Sequence, residues 1–314
     1  MPGTWMDVTS GGDWHAPKET DRPSVDALQG KPLAERIREW PLGADDERAR
    51  AELVDLEQQV AGKDDLAPLA ALLAQEPVRN LLLGTFAGSP YLKTLIVRDA
   101  FRLRRVLAEA PENRFKQLIG ELDEQMASVT TIAEAMRVAR VFKTEVALLT
   151  ALADLGGVWP VMTVTGVLTV TADAALDAAL RFLFRQAQVK GDWTDDAPDA
   201  AARSGYIVLA MGKHGAGELN YSSDIDIIVF YDLARVRLRS GLEPQAFFVR
   251  MTRDLVKIMQ ERTAHGYVFR VDLRLRPDPG ATQVALSTDA AMHYYESFGQ
   301  NWERAALIKA RPAA

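Results

Sequence analysis

Cysteine is absent from this 314-residue sequence, and histidine occurs only four times. Without cysteine the chain forms no disulfide, no thiolate nucleophile and no cysteine zinc site, which is compatible with a reducing compartment. The histidines lack metal-ligand spacing, no Ser/His/Asp nucleophile pattern accompanies them, and we expect each to be structural or exposed. They are His15, His214, His265 and His293, of which His214 is a minor site candidate because of its position.

Long apolar runs and a basic excess are also missing. No apolar run reaches the length of a membrane span, and the N-terminus lacks the basic and apolar regions of a signal peptide. The formal net charge of −6 disfavours a general nucleic-acid binder, whose phosphate contacts need a basic excess. We therefore expect a cytoplasmic protein with neither a membrane nor a nucleic acid as its partner.

The composition predicts four segments. Residues 1–23 are rich in Gly, Pro, Ser, Asp and Thr, which is typical of a disordered lead-in. Ala, Leu, Glu and Arg dominate residues 24–189, where apolar residues recur at three- and four-residue spacing and predict an all-helical domain. Residues 190–204 are polar and aperiodic, which predicts a linker or surface loop. Residues 205–314 have the mixed pattern of a second, α/β domain.

Helical periodicity is clear in two parts of the N-terminal half. Pro90–Leu107 and Ile132–Leu155 each place apolar residues along one stripe, which predicts amphipathic helices. The segment Gly156–Thr165 interrupts this pattern. A last helix of this half is then predicted at Thr171–Gln188.

Strand patterns appear in the C-terminal part. Tyr206–Met211 and Ile225–Tyr231 are rich in Ile, Val and aromatic residues, and a third strand is predicted at Tyr267–Leu275. Gln245–Ala264 has the apolar stripe of a helix, and a turn at Pro277–Gly280 precedes a last helical piece. The predicted fold class is α+β, with an all-α N-terminal region followed by a small mixed sheet.

Two aspartates lie at the start of the second predicted strand. Asp224 and Asp226 point to the same face of this strand because side chains alternate with a period of two. A bare Asp-x-Asp is most often a solvated strand edge with two surface acids. This pair directly follows a glycine-rich turn, and like charges so close repel unless a cation or basic group lies between them. The pair therefore predicts a divalent metal site for phosphoryl or nucleotidyl transfer.

A third carboxylate, Asp272, lies in the third predicted strand. Apolar residues alternate there with Arg270, Asp272, Arg274 and Arg276. One interpretation is an exposed strand face with salt bridges. In the other, three acids on neighbouring strands bind two magnesium ions about 4 Å apart, which clamp the attacking and leaving oxygens of an in-line displacement. The three arginines would then contact phosphate oxygens.

The glycine-rich turn before the acids, GKHGAGEL, has neither Walker A nor Rossmann spacing. Gly212 and Gly215 would let the backbone approach a phosphate, and Lys213 would neutralise its charge. Taken alone, the turn is better explained as a structural loop. Ser222 and Ser223 would either hydrogen-bond phosphate or cap the turn.

Three motifs in this sequence resemble one bacterial family. They are GKHGAGELNYSSDIDI, FRVDLRLRP and YYESFGQNWERAALIKARP, in that order. Together they are similar to the glutamine synthetase adenylyltransferases, bifunctional enzymes that attach AMP to a tyrosine of glutamine synthetase and remove it. The resemblance covers Tyr206–Pro312 strongly and the helical N-terminal region only in general character.

That family has two nucleotidyltransferase modules of the polymerase-β type, and these motifs resemble the N-terminal, adenylyl-removing module. The resemblance implies that Asp224 and Asp226 are the metal-binding pair, that Asp272 is the third carboxylate, and that Mg²⁺ is the cofactor. Gly-Lys at 212–213 departs from the Gly-Ser of the general superfamily, but the adenylyltransferases share this lysine. The chain stops after the third motif, so we expect a fragment without the remaining module, the regulatory region and the second module.

The resemblance implies phosphorolysis of adenylylated glutamine synthetase, in which phosphate attacks the AMP phosphorus and releases tyrosine and ADP. The implied partners are glutamine synthetase, phosphate, ADP or ATP and, for the full-length enzyme, a PII-type signalling protein. Arg304, Lys309 and Arg311 would hold the anionic substrates or form an exposed basic helix face. Two alternatives stay open: adenylylation from ATP at the same type of site, and a non-catalytic docking or regulatory fragment.

Overall fold

The computed structural model describes residues 30–42 and 46–314, and most of these are helical. The disordered lead-in expected at residues 1–23 lies outside the described residues. The helices before the sheet are α1 (Leu33–Arg36), α2 (Glu47–Val60), α3 (Ala67–Leu73), α4 (Glu76–Gly88), α5 (Pro90–Arg98), α6 (Ala100–Ala108), α7 (Pro111–Ser128), α8 (Ile132–Leu155), α9 (Val161–Val189) and α10 (Ala200–Arg203). No helix in the described ranges is both long and apolar enough to cross a membrane.

Several helix boundaries in this half follow from capping residues. Asp46, Ser89 and Asp99 each accept backbone N–H groups from the first turn of α2, α5 and α6, respectively. Asp99 divides the segment predicted as one helix, Pro90–Leu107, because its carboxylate accepts the N–H of Arg102 at 3.0 Å and starts a new helix. The prediction of a single stripe is therefore wrong, although the leucines of this segment are buried in both helices.

Helix α9 begins much earlier than the periodicity predicts. The break predicted at Gly156–Thr165 covers only residues 156–160, and the helix starts at Val161 rather than at Thr171. The β-branched residues of its first turns have low helix propensity, and for that reason the sequence predicts a break there. Tertiary packing overrides that preference, since Val167 and its apolar neighbours are buried in the helical core.

The sheet is small and mixed. Its strands are β1 (Tyr206–Ala210), β2 (Ile225–Tyr231), β3 (Val271–Asp272), β4 (Leu286–Ser287) and β5 (Arg311–Pro312), and the accompanying helices are α11 (Gly212–Ala216), α12 (Pro244–Gln260), α13 (Thr288–Ser297) and α14 (Asn301–Ala306), with 3₁₀ turns at Asp64–Leu66, Leu233–Arg235 and Leu307–Lys309. β2 pairs antiparallel with β1 and parallel with β3 and β4, while β5 pairs antiparallel with β1. This arrangement confirms the α+β class and the first two predicted strands.

The third strand is much shorter than the predicted Tyr267–Leu275. Only Val271 and Asp272 pair with β2. The chain turns directly afterwards because the Asp272 carboxylate accepts the backbone N–H of Arg274 at 2.8 Å, a local bond that competes with strand pairing. Helix α12 also ends earlier than predicted, at Gln260.

One apolar core runs through both the helices and the sheet. Within it, Trp193 is 3% exposed, meets the Phe184 ring edge-on at 5.0 Å and stacks on Phe247 at 6.0 Å between ring centroids. Trp193 belongs to the segment 190–204 that the sequence predicts as a linker or surface loop. This segment thus joins α9 to α12 through side-chain packing, and the division into domains stays a prediction.

Candidate functional site

The acids predicted as metal ligands lie where β2 and β3 run side by side. These strands are parallel, and Asp226 of β2 is directly opposite Asp272 of β3. Neighbouring strands are about 4.8 Å apart, so the two carboxylates share one face of the sheet and are within reach of a common ligand. Asp224 precedes the first residue of β2 and is exposed.

Asp226 lies close to two other carboxylates. Burial raises its pKa, and the negative charges of Asp272 and Asp224 raise that pKa further, whereas Arg274 and His214 lower it. Within residues 30–42 and 46–314, Asp226 has no ion-pair partner, unlike the other two acids. A cation placed between the carboxylates would relieve this repulsion.

Asp224 is paired with an arginine from the segment before β3. Arg270 Nε donates to Asp224 Oδ1 at 2.5 Å, and two other guanidinium nitrogens donate to the Ser222 carbonyl at 2.7 Å and to the Tyr267 hydroxyl at 3.1 Å. Both partners of this ion pair are about half exposed. Arg270 therefore joins the turn before β2 to the segment before β3 and neutralises one predicted metal ligand.

Asp272 is paired in the same way with Arg274. Arg274 Nε and a terminal nitrogen donate to Asp272 Oδ2 at 2.8 and 2.5 Å, and this arginine lowers the pKa of Asp272. Two of the three acids are thus paired with arginines, and no three His, Asp or Glu side chains in the described ranges form a group able to hold a metal as they stand. The role of Asp224, Asp226 and Asp272 as joint metal ligands thus stays a prediction.

The glycine-rich turn lies directly against the acids. Gly212 has a φ of +53°, and a Cβ added there would be only 2.8 Å from Asp226 Oδ2. Gly215 faces the backbone of Lys309 and Ala210, so its lack of a side chain serves close packing. Lys213 is exposed at the surface of α11. The turn thus brings one backbone position close to the acid pair and leaves one ammonium group in solvent.

The remaining predicted anion-binding residues have varied surroundings. Ser223 Oγ donates to Asn220 Oδ1 at 2.6 Å, which fits the turn-capping interpretation, and Ser222 is exposed. Arg276 donates to the carbonyls of Leu273, Pro279 and Thr282 and so holds the loop after β3. Of the three predicted arginines, the structure places Arg270 and Arg274 at the acids and turns Arg276 away.

The basic residues near the C-terminus are held by other parts of the chain. Arg304 donates to the Tyr295 carbonyl at 2.8 Å, Lys309 lies 3.5 Å from a Glu218 carboxylate oxygen, and Arg311 lies 2.9 Å from Asp173. They do not form one exposed basic face.

The sequence interpretation did not single out Asp173 of α9. Its Oδ1 accepts a hydrogen bond from Nε2 of the fully buried His214 at 2.7 Å, and Arg311 binds the same carboxylate. Asp173 thereby fixes α11, the helix that contains Gly212, against the helical core. The signal was present in the sequence as an acid inside the apolar run TVTADAALDAAL.

A family model described as Glutamate-ammonia ligase adenylyltransferase matches residues 80–314. A bifunctional glutamine synthetase adenylyltransferase/adenylyl-removing enzyme of Bradyrhizobium sp. strain BTAi1 is 51% identical over 290 residues, which are 91% of this chain and 29% of the relative. Relatives with the same name from Rhodopseudomonas palustris CGA009 and Xanthobacter autotrophicus Py2 are 52% and 47% identical over 80% and 95% of the chain, and over 26% and 29% of their own lengths.

The chain thus spans less than a third of the length of these curated relatives. The family match includes the acids of β2 and β3, the glycine-rich turn and the C-terminal motif. This chain belongs to the glutamate–ammonia ligase adenylyltransferase family.

Proposed function

We propose that this chain contains the adenylyl-removing site of its family and that it cleaves AMP from adenylylated glutamine synthetase by metal-dependent phosphorolysis. One observation carries the proposal: Asp226 and Asp272 lie opposite each other on parallel strands, and the Gly212 backbone lies against Asp226. We assign this part of the chain to the polymerase-β type of nucleotidyltransferase. The names of the relatives include adenylyl removal, which supports the proposed activity.

The donor set fits magnesium. Mg²⁺ prefers carboxylate oxygens, and Asp224, Asp226 and Asp272 offer three such groups near the ends of two adjacent strands. Burial and the repulsion from Asp272 and Asp224 raise the pKa of Asp226, and a bound cation would offset that repulsion. When bound, magnesium would neutralise charge on the phosphoryl and leaving oxygens. Asp224 and Asp272 would each have to exchange an arginine for the ion.

The arginines released from these pairs would bind the substrate phosphates. Arg270 and Arg274 would swing from Asp224 and Asp272 to phosphate oxygens, with charge-assisted hydrogen bonds in both arrangements. Gly212 lets the backbone of the turn approach Asp226 closely, and the exposed Lys213 would offset the charge of the incoming phosphate. These residues act by position and charge, as phosphoryl transfer generally requires.

The proposed phosphorolysis exchanges one P–O bond for another. An oxygen of inorganic phosphate attacks the phosphorus of the adenylyl-tyrosine, and a new P–O bond forms while the bond to the tyrosine oxygen breaks. The products are ADP and the tyrosine hydroxyl, which takes up one proton. Adenylylation from ATP would use the same carboxylates, and the names of the relatives include that activity as well. A cytoplasmic location and regulation by a PII-type signalling protein belong to the same proposal.

The experiment compares the two directions with the purified chain. One reaction contains adenylylated glutamine synthetase, magnesium and phosphate; the other contains unmodified glutamine synthetase, magnesium and ATP. We expect ADP release in the first and no AMP incorporation in the second. AMP incorporation alone would reverse the assignment. Binding of glutamine synthetase without either reaction would make the chain a docking fragment.

An isosteric variant tests whether the acids carry the reaction. Asp226→Asn should abolish ADP release without changing the fold, because the amide removes the charge and keeps the shape. Asp55→Asn is the matched control, since Asp55 is an exposed acid on α2. Equal activity of the two variants would show that the β2–β3 acids are not the site.

A further inference from the structure

A cavity of about 980 Å³ opens between the helices and the candidate site. Its walls come mainly from α4, α5 and α8 on one side and from Tyr221, Ser222, residues 264–267 and Phe269 on the other, and they are mainly apolar. A volume near the upper end of the roughly 300–1,000 Å³ range and apolar walls with a few polar groups are typical of small-molecule sites. The carboxylates of Asp224, Asp226 and Asp272 are not part of its lining.

A single lysine, Lys143 of α8, projects into this cavity. Its Nζ lies 5.5 Å from the centre of the Tyr91 ring and 5.9 Å from that of Tyr267. In the described ranges no carboxylate forms an ion pair with it, and burial lowers its pKa. A partly desolvated ammonium without a counter-ion is unfavourable, and the two aromatic rings offset only part of that cost. An anion in the cavity would supply the missing charge.

The acids that line the cavity are already engaged. Asp154 accepts a hydrogen bond from the Tyr221 hydroxyl at 2.7 Å. Asp99 caps α6 and lies 3.5 Å from Arg102, which also donates to Glu145 at 2.9 Å. The free charge facing the cavity is therefore positive.

The cavity wall is also part of the support of the candidate site. The ring of Tyr267 contacts Lys143 on the cavity side, and its hydroxyl accepts a hydrogen bond from Arg270 at 3.1 Å. Arg270 in turn holds Asp224 and the Ser222 carbonyl. A ligand that draws Lys143 away from Tyr267 would thus change the surroundings of the Arg270–Asp224 pair.

We propose that this cavity is a binding site for a small organic anion, a carboxylate or phosphate monoester on an apolar or aromatic body, with Lys143 as its counter-charge. Occupancy of the cavity is transmitted to the Arg270–Asp224 pair through Tyr267. The binding itself does not depend on the proposed phosphorolysis, because the cavity is separate from the three aspartates.

The test uses benzoate and phenyl phosphate as probes and benzyl alcohol as their neutral counterpart, in magnesium-free buffer. Calorimetric titration should show saturable binding of both anions, about tenfold tighter than that of the alcohol. Lys143→Met keeps the aliphatic stem and should remove this preference. Lys143→Arg should keep it, as should Lys190→Met, a control at the exposed lysine that directly follows α9.

Two further measurements use the unmodified chain, so they do not depend on whether the variants fold. Nuclear Overhauser contacts between the probe and the rings of Tyr91 and Tyr267 should appear in the unmodified chain. Hydrogen exchange of residues 219–226 and 264–272 should slow when the probe is bound. Equal affinity for the alcohol, probe contacts elsewhere, or an unchanged preference in Lys143→Met would overturn the proposal. Asp226→Asn should bind the probes normally, which separates this site from the reaction.

Discussion

The imidazole of His214 donates from Nε2 to the carboxylate of Asp173 across 2.7 Å, and no part of this imidazole reaches solvent. A carboxylate is only an acceptor, so Nε2 carries the proton. Arg311 of β5 binds the same carboxylate at 2.9 Å. Asp173 therefore fastens α11 and β5, two elements of the sheet region, to the longest helix of the helical region.

Removing this carboxylate should loosen the glycine-rich turn. In Asp173→Ala, the buried His214 and the partly buried Arg311 both lose an acceptor, and we expect the free energy of unfolding to fall by about 2–3 kcal/mol. Urea denaturation measures the change. Asp177→Ala is the control on the same helix: its exposed pair with Arg181 should be worth less than about 0.5 kcal/mol. Equal losses would refute a special role for Asp173.

The buried guanidinium of Arg140 should stabilise the end of α12 and the turn that follows. It donates to the carbonyls of Met136 at 2.8 Å, Ile258 at 2.9 Å and Gly266 at 2.9 Å, and also to that of Glu261. Lysine lacks the planar fork, so Arg140→Lys should leave buried carbonyls unpaired and cost about 2–3 kcal/mol.

The exposed Arg137, one turn away on α8, provides the control for this prediction. Arg137→Lys should leave the unfolding midpoint in urea unchanged. Hydrogen exchange should become faster at residues 261–267 in the Arg140 variant alone. A uniform acceleration over the whole chain would point to general destabilisation instead.

Two glycines allow backbone strain to be separated from steric conflict with Asp226. Gly212 and Gly217 both have positive φ, so alanine at either should cost about 1–2 kcal/mol of stability. Only at Gly212 would the new Cβ also lie 2.8 Å from Asp226 Oδ2, whereas nothing lies within 4 Å at Gly217. Gly212→Ala should therefore lose ADP release far beyond Gly217→Ala. Equal activity would contradict the placement of Asp226 at the reacting phosphate.

The capping box of α8 should make stability depend on acid pH. Backbone N–H groups of Thr130 and Thr131 donate to the Glu134 carboxylate and lower its pKa below the model-compound value of 4.5. A depressed pKa in the folded state adds stability above 4.5 that is lost as pH falls through the folded pKa. Glu134→Gln should flatten this acid limb of the melting temperature.

Glu124 of α7 is an exposed glutamate without such contacts in the described structure, and Glu124→Gln should keep the acid limb of the unmodified chain. Melting temperatures recorded by circular dichroism from neutral to acid pH decide the matter. If Glu134→Gln had the same acid limb as the unmodified chain, the capping box would not bind the ionised Glu134 carboxylate better than a neutral side chain.

The sequence predicts those parts of the fold that depend on local pattern. β2 agrees residue for residue because its alternation, its β-branched residues and the turn before it all favour the same strand. β3 does not, because the bond from Arg274 to Asp272 ends the strand where apolar alternation would continue it. The early start of α9 was hidden because burial against other helices outweighs the low propensity of its β-branched residues.

For the candidate site, the sequence supplied the acids but not their partners. Asp226 and Asp272 are far apart in the chain, and alternation within each strand predicts their shared face. The cavity, Lys143 and Asp173 depend on how helices pack on the sheet, and a single sequence carries no periodic signal for such contacts.

Trp193 has a practical consequence for anyone who divides this protein for expression. A cut within residues 190–204 would place Phe184 and Phe247 on different fragments. The packing of Trp193 between these two rings would then be lost. Each fragment would expose apolar surface that is buried in the intact chain. We therefore expect both fragments to aggregate unless they are coexpressed. Truncation for biochemical work should therefore keep helices and sheet on one polypeptide.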